Sequence, residues 1–313
     1  MNENQKKSGM QSRKRRDIIF YSLLMAFPVL QFLIFYLVVN VNSFTLAFRV
    51  YDKSVGEFSW AGFSNFQAIF NKFELDPTFL HALGNSLTLL AWQLIVGVPL
   101  ALLFSYYIYK KMYASEFFRV ILFLPSILSA VVMVTLYKYS MDIFLPGVVN
   151  EVFSTDAQPF LSNPDLQFGL LVFYTIWLSF GSSTLLYSGT MSGIDVSIVE
   201  AAELDGANPL QEFVYITVPM IYSTLVVFVV VAIAGVFTNQ MNLYSFFVDK
   251  AEYSVYTIGY YLYKNTAHAT GEGDYPQLAA FGLLGSFIVI PLTLVLRWVL
   301  GKFDPMEQKE ARR

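Results

Sequence analysis

Apolar residues fall along this chain in long unbroken runs instead of alternating with polar ones, and six runs are long enough to cross a bilayer as helices. A hydrocarbon core of about 30 Å needs about 20 apolar residues at about 1.5 Å per helical residue. The qualifying segments run from about Ile18 to Val41, Leu83 to Tyr109, Val120 to Tyr139, Phe168 to Ser188, Pro219 to Phe237 and Leu278 to Leu300. The pattern predicts an all-α polytopic membrane protein. Gly97 and Pro99 in the second span and Pro125 in the third predict kinks. The first run follows Arg13-Lys14-Arg15-Arg16 but is too long for a signal-peptide core and lacks a small-residue cleavage pattern, so it reads as a retained anchor.

Composition agrees with the pattern. Of 313 residues, 56% are hydrophobic and 14% charged, against about 25% charged in a soluble domain. Cysteine is absent and the two histidines, His81 and His268, stand isolated, so no metal site is expected. No nucleotide-cradling G-x-x-x-x-G-K-[ST] run occurs, since Gly301-Lys302 lacks the upstream glycine and the following hydroxyl residue. His-Glu-x-x-His and Gly-x-Ser-x-Gly are missing too, so an enzyme is not expected. Fourteen of the twenty Lys and Arg lie before the first span, between the second and third, or close the chain from Arg297 at the end of the last span. By the positive-inside rule both termini are cytoplasmic.

One loop on that side, about 191–218, carries Asp195, Glu200, Glu203, Asp205 and Glu212 without a Lys or Arg. Ser197-Ile198-Val199-Glu200 fits a capping box that starts a helix, and Gly206 fits its left-handed C′ end. Asn208-Pro209 then reads as N-cap and first residue of a second helix, with Gln211 completing a second box. That helix is expected to run to about Ile216, with Pro219 opening the fifth span. Spacing alone also suits a solvated acidic hairpin.

Glu200-Ala201-Ala202, three residues, Gly206, nine residues, Ile216, one residue, Val218-Pro219 resembles the EAA loop, E-A-A-x3-G-x9-I-x-L-P, of binding-protein-dependent importer permeases. Leu204-Asp205-Gly206-Ala207 and Phe213 are similar to the version in the sugar-transporting branch. Val218 replaces the usual leucine, and Val196 lies near where that branch often has proline. The resemblance covers roughly residues 80–300 and implies the transmembrane fold of a type I ATP-binding-cassette importer. It implies a division into a basic tail (1–17), a first helix with an external loop (18–79), a transmembrane domain (80–300) and a second tail (301–313). Glu200, Ala201, Ala202, Asp205, Gly206, Ile216 and Pro219 are the implied coupling residues, with Glu212 a further candidate. Implied partners are two ATPase subunits that bind ATP and Mg, a second homologous permease chain, an extracytoplasmic solute-binding protein, a sugar and the lipid of a bacterial inner membrane. No cofactor on this chain and no nucleic acid are expected.

Polar side chains within or just beyond spans are the candidates for the substrate path: Asn85, Gln93, Asn239, Gln240 and Asn242, with Ser126, Thr135, Thr175 and Thr184 behind them. Amides and hydroxyls suit a polyol, and equally serve to hold a bundle together. The tyrosines between Met241 and Gln277 read mainly as an interfacial belt. An ion-coupled transporter is the main alternative, disfavoured because no acid lies near the middle of a predicted span and Asp142 falls at the end of the third. An importer for a solute other than sugar also stays open.

Overall fold

The computed structural model describes residues 3–269 and 271–305. Lys309, Arg312 and Arg313, counted above in the second tail, lie outside them. Among the described residues five helices are long and apolar enough to cross a membrane, and one bent helix pair makes a sixth when its two halves are taken as one span. The chain divides into two compact units, Met1–Phe70 with Ala269–Leu284, and Asn71–His268 with Gly285–Arg313.

In the first unit the spanning helix covers Arg15–Ala47 and buries none of its apolar window. A short antiparallel hairpin follows, Arg49–Asp52 with Glu57–Trp60, in the register Arg49 opposite Trp60. Its turn is closed by Asp52, whose carboxylate accepts from the Ser54 hydroxyl at 2.5 Å and the Ser54 amide at 2.8 Å. Those bonds hold the Asp52 carboxyl below its usual range. Buried Asn65 pins the hairpin to the helix end by donating to the Ala47 and Arg49 carbonyls at 2.9 and 2.7 Å.

In the second unit the next span runs Pro77–Tyr109 as one helix. Asp76 caps it by accepting from the Thr78 amide at 2.9 Å, and Pro77 occupies the first position, where a missing N–H costs nothing. The expected kink at Gly97 and Pro99 takes another form. Residues Gln93–Gly97 make a π turn in which the Val98 amide reaches back five residues to the Gln93 carbonyl. A proline clashes with the carbonyl four residues earlier in an α-helix, and widening the preceding turn relieves that clash. The same device recurs at Ser140–Phe144 before Pro146 and at Phe213–Thr217 before Pro219. Each of these three π turns ends two residues before its proline, whereas a fourth, Phe32–Val38 in the first span, has no proline after it.

The third span differs from the expected Val120–Tyr139. Ser115–Ile127 is a separate helix, Leu128 and Ser129 are extended, and the span is Ala130–Phe153. Hydropathy runs unbroken across the join because both helices are apolar. The stop and restart are local chemistry: Ser126 bonds back to the Phe123 carbonyl at 2.7 Å, and Ser129 caps the next helix through the Val132 amide. Ser115–Ile127 packs on the fourth span, Pro164–Met191, at a point where Gly181 leaves no side chain between the two backbones. The last span is Tyr275–Gly301.

Candidate functional site

The acidic loop folds as two helices. The first, Val196–Leu204, is capped by Asp195 and not by Ser197. The Asp195 carboxylate accepts from both the amide and the hydroxyl of Ser197 at 2.9 Å, so the serine is a donor within the cap. A charged acceptor at a helix N-terminus outcompetes a neutral hydroxyl two residues on. The same bonds keep the Asp195 carboxyl below its usual range. A folded-state value below the unfolded one stabilises the cap at neutral pH, and that contribution is lost as pH falls through the lowered value. Asp195→Asn should therefore preserve the helix start and remove its acid sensitivity, while Asp195→Ala should fray the first turn, read as faster amide exchange at Ser197.

The C-terminal end matches the expectation in full. Gly206 has φ +82°, its amide bonds to the Glu203 carbonyl at 3.1 Å, and the Ala207 amide bonds to the Ala202 carbonyl at 3.0 Å. Those two bonds define a Schellman ending, which needs the left-handed residue that glycine supplies freely. The second box is also present: Asn208 and Gln211 exchange side-chain to backbone bonds at 2.9 Å in both directions. The second helix then passes Ile216 and continues through Pro219 to Met220, because the π turn absorbs the proline. It bends by 71° at Ile221 into Tyr222–Ala234. Pro219 thus lies inside the helix and does not open the fifth span.

This hairpin is not merely solvated. Val199 and Phe213, one from each helix, enter a buried cluster with Ala101, Leu102 and Tyr106 of the second span and Tyr187 and Met191 of the fourth. Lys110, the residue after the second span, places its ammonium 2.9 Å from Glu212 and 3.1 Å from Glu203. Burial would lower the Lys110 pKa, but the bonds to Glu212 and Glu203 outweigh it and the net shift is upward. The Tyr106 hydroxyl donates to the Pro209 carbonyl at 3.0 Å. Sequence reading used Lys110 only as an orientation marker and missed this role. The signal was the Lys110-Lys111 pair at the end of the second span, on the same side as a loop of five acids with no base of its own.

The opposite face of the loop is open. Glu200, Ala201, Asp205 and Gly206 are exposed and Ala202 half-buried. Leu204 is 89% exposed, with Leu210 and Tyr215 also outward. Apolar side chains bared beside acids on a rigid, capped loop make a surface suited to docking a protein.

The polar candidates separate. Gln93 and Asn239 line an open cavity of about 320 Å³ with Ser86 and Thr238. Asn239, Gln240 and Asn242 line a second of about 410 Å³ with Thr175, Ser179 and Thr238. The groups named are neutral amides and hydroxyls. Asn85 does something else: its amide nitrogen donates to the Ser254 and Tyr256 carbonyls at 2.7 and 2.9 Å. Ser86, Ser179 and Thr238 were missed because small hydroxyl residues are ordinary in apolar helices.

Shifting the third span to Ala130–Phe153 puts Asp142 inside a span after all, four residues after Lys138, which lies within both the expected and the observed span. Each is engaged in structure. Asp142 accepts from the Leu161 amide at 2.9 Å, and Lys138 donates to the Phe246 carbonyl at 2.9 Å. His268 is not isolated either, as its Nε2 lies 3.0 Å from an Asp249 carboxylate oxygen. No group of three metal-ligating side chains occurs among the described residues. The tyrosines divide as well: Tyr253 is exposed, whereas Tyr256 and Tyr260 are buried. Tyr260 donates to the Val248 carbonyl at 2.9 Å, and Tyr261 reaches Asp76 at 3.2 Å. Burial and the Asp76 charge push the Tyr261 phenol up to about 12.

Comparison with known proteins gives a consistent match. Residues 78–308 fit the family described as binding-protein-dependent transport system inner membrane component. The chain is 27% identical over 280 residues to the arabinooligosaccharides transport system permease protein AraP of Bacillus subtilis (strain 168), covering 88% of this chain and 86% of that protein. It is 26% identical over 292 residues to the lactose transport system permease protein LacF of Rhizobium radiobacter, covering 90% and 89%. Its fold is similar to a chain in the crystal structure of a bacterial alginate ABC transporter in complex with an alginate pentasaccharide-bound periplasmic protein. That match has a TM-score of 0.73 at 21% identity, over 91% of this chain and 94% of that one.

Proposed function

The chain belongs to the family of binding-protein-dependent transport system inner membrane components, and from that premise we propose that it conducts a carbohydrate, mono- or oligosaccharide, delivered by an extracytoplasmic solute-binding protein. It is a multi-pass membrane subunit with the type I importer fold, and it is not itself an enzyme. The acidic loop carries the proposal: two capped helices rooted between the second and fourth spans, with Glu200, Ala201 and Leu204 facing out.

In this reading both termini are cytoplasmic in the bacterial inner membrane, and the outward face of the loop docks on an ATPase subunit that holds ATP and Mg. Glu200, Ala201, Ala202, Asp205 and Gly206 form the docking surface. Ile216 and Pro219 belong to the helix that links it to the fifth span. A second, homologous permease chain completes the pathway, and a pair of ATPase subunits drives it. Gln93, Asn239, Gln240 and Asn242 face the sugar through neutral hydrogen-bonding groups, as the cavities they line suggest. Asn85 is left to a structural duty. ATP and the loaded binding protein must both favour one state of the pathway, since a ligand shifts an equilibrium only through differential affinity.

The test is affinity purification of the complex in mild detergent with mass spectrometry of what accompanies it. An ATPase and a second permease should be recovered with the native chain. Gly206→Leu should reduce the recovered ATPase at least tenfold: it forces a branched residue to φ +82°, at about 1–2 kcal/mol, and places bulk on the docking face. Recovery of the native chain repeatedly without any ATPase would end the proposal.

A further inference from the structure

We propose that Lys110 is a positioning residue that ties the acidic loop to the second span, so that displacement of the loop is carried into the wall of the cavity. The inference rests on the coupling role proposed above for the loop. Its basis is a three-point arrangement. Lys110 holds one carboxylate from each loop helix, Glu203 on the first and Glu212 on the second, at 3.1 and 2.9 Å. Glu212 is the stronger anchor, because its side chain is 3% exposed whereas that of Glu203 is 58% exposed. An exposed pair is screened by water; a buried carboxylate has no alternative partner of that strength. The other oxygen of Glu212 has no hydrogen-bond partner among the described residues, so the ion pair with Lys110 carries that charge.

Position along the chain gives the tie its consequence. Lys110 caps the end of Pro77–Tyr109, a helix that runs without a break past Ser86, Leu89, Leu90 and Gln93 of the 320 Å³ cavity. The carbonyl end of that helix favours a cation. Two direct covalent routes also leave the loop: the fourth span, which ends at Met191 and does not line this cavity, and Tyr222–Ala234, which reaches it at Val231 and Ala232 but passes the 71° bend at Ile221. A jointed connection absorbs motion that a continuous helix transmits. Apolar contacts such as Val199 and Phe213 resist separation yet permit sliding, whereas one ammonium held between carboxylates of two different helices resists sliding as well, because moving either helix away leaves a partly buried charge short of its partner. Tyr106, one turn before Lys110, adds its bond to the Pro209 carbonyl on the same side.

The experiment follows ATP-driven motion with nitroxide pairs in the assembled complex, using Mg and a non-hydrolysable ATP analogue as the probe. This chain has no cysteine to remove, so labels are added by Val196→Cys on the loop or Ile95→Cys beside the cavity, each paired with Phe173→Cys on the fourth span. All three positions are exposed. In the otherwise native chain the nucleotide should shift both distance distributions. In Lys110→Met the Val196 pair should still shift while the Ile95 shift falls to less than about a third. Lys110→Arg should retain the Ile95 shift, and Lys110→Glu with Glu212→Lys should recover at least half of it. An Ile95 shift in Lys110→Met equal to the native one overturns the tie. So does a charge-swapped complex that assembles yet moves no more than Lys110→Glu alone, a comparison that decides the matter should Lys110→Met fail to assemble. Should the nucleotide move neither pair in the native complex, the coupling role of the loop falls, and the tie with it.

Discussion

A Gly181→Ala chain should reach the membrane at a small fraction of the native level and should melt at a markedly lower temperature in detergent. A β-carbon at Gly181 would lie well inside contact range of the Leu122 carbonyl oxygen, 2.7 Å from its carbon and 3.0 Å from the Phe123 Cα. The obstacle is backbone, so no rotamer change relieves it and the whole helix Ser115–Ile127 must retreat. Overpacking a well-filled site costs about 1–3 kcal/mol and more where the neighbour cannot give. Gly189 lies on the same helix with nothing within 4 Å of its added carbon, so Gly189→Ala should be nearly neutral. Fluorescence-detected size exclusion after heating separates the two. Equal melting of both variants would mean that the close approach of these helices is not what holds Ser115–Ile127 in place.

The double change Asn85→Leu and Ser86→Ala should release the tyrosine-rich segment while leaving the acidic loop intact. Asn85 donates to the Ser254 and Tyr256 carbonyls, and the Ser86 hydroxyl accepts from the Ile258 amide at 2.9 Å. Ile258 and Ser86 are buried, at 2% and 1% exposure, so the amide gains no water in exchange. A buried polar group left without a partner costs about 1–3 kcal/mol, which applies to the Ile258 amide, and the two less buried Asn85 bonds add about 0.5–1.5 kcal/mol each, so the losses together come to about 2–6 kcal/mol. Chymotrypsin should then cut between Tyr253 and Tyr263 many times faster than in the native chain. Unchanged cleavage there would show that Tyr260 and Tyr261 hold the segment without help from the span.

Much of the architecture was legible because it rests on rules that act over short stretches. Five apolar runs found their helices, and the Schellman ending at Gly206 and the Asn208–Gln211 box followed from residue type and spacing. The broken third span was not legible, since hydropathy measures affinity for lipid and is blind to a two-residue extended joint between apolar helices. Misplacing that span also hid Asp142, whose partner amide is 19 residues away. The first cap went to the wrong residue because both Asp195 and Ser197 are good caps by type, and the Ser197–Glu200 spacing was followed ahead of the charge that favours Asp195. The Lys110–Glu212 pair spans 102 residues of sequence, a distance over which spacing carries no information.

The π turns have a consequence for how the spans must be read. Each holds one residue more than an α-helix of equal length, so every side chain beyond it is turned by about 100° from where a continued 3.6-residue repeat would put it. In the second span the buried positions Phe79, Ala82, Ser86 and Leu89 extrapolate to Leu100 and Tyr107, neither of which is buried; the buried residues there are Ala101, Leu102, Ser105, Tyr106 and Ile108, turned to one side of that line. The two halves of that helix therefore keep separate phases, offset by one residue at Gln93–Gly97. A tryptophan scan along it should return two tolerant stripes that do not join, and a single helical wheel drawn through both would assign lipid and interior to the wrong sides of one half.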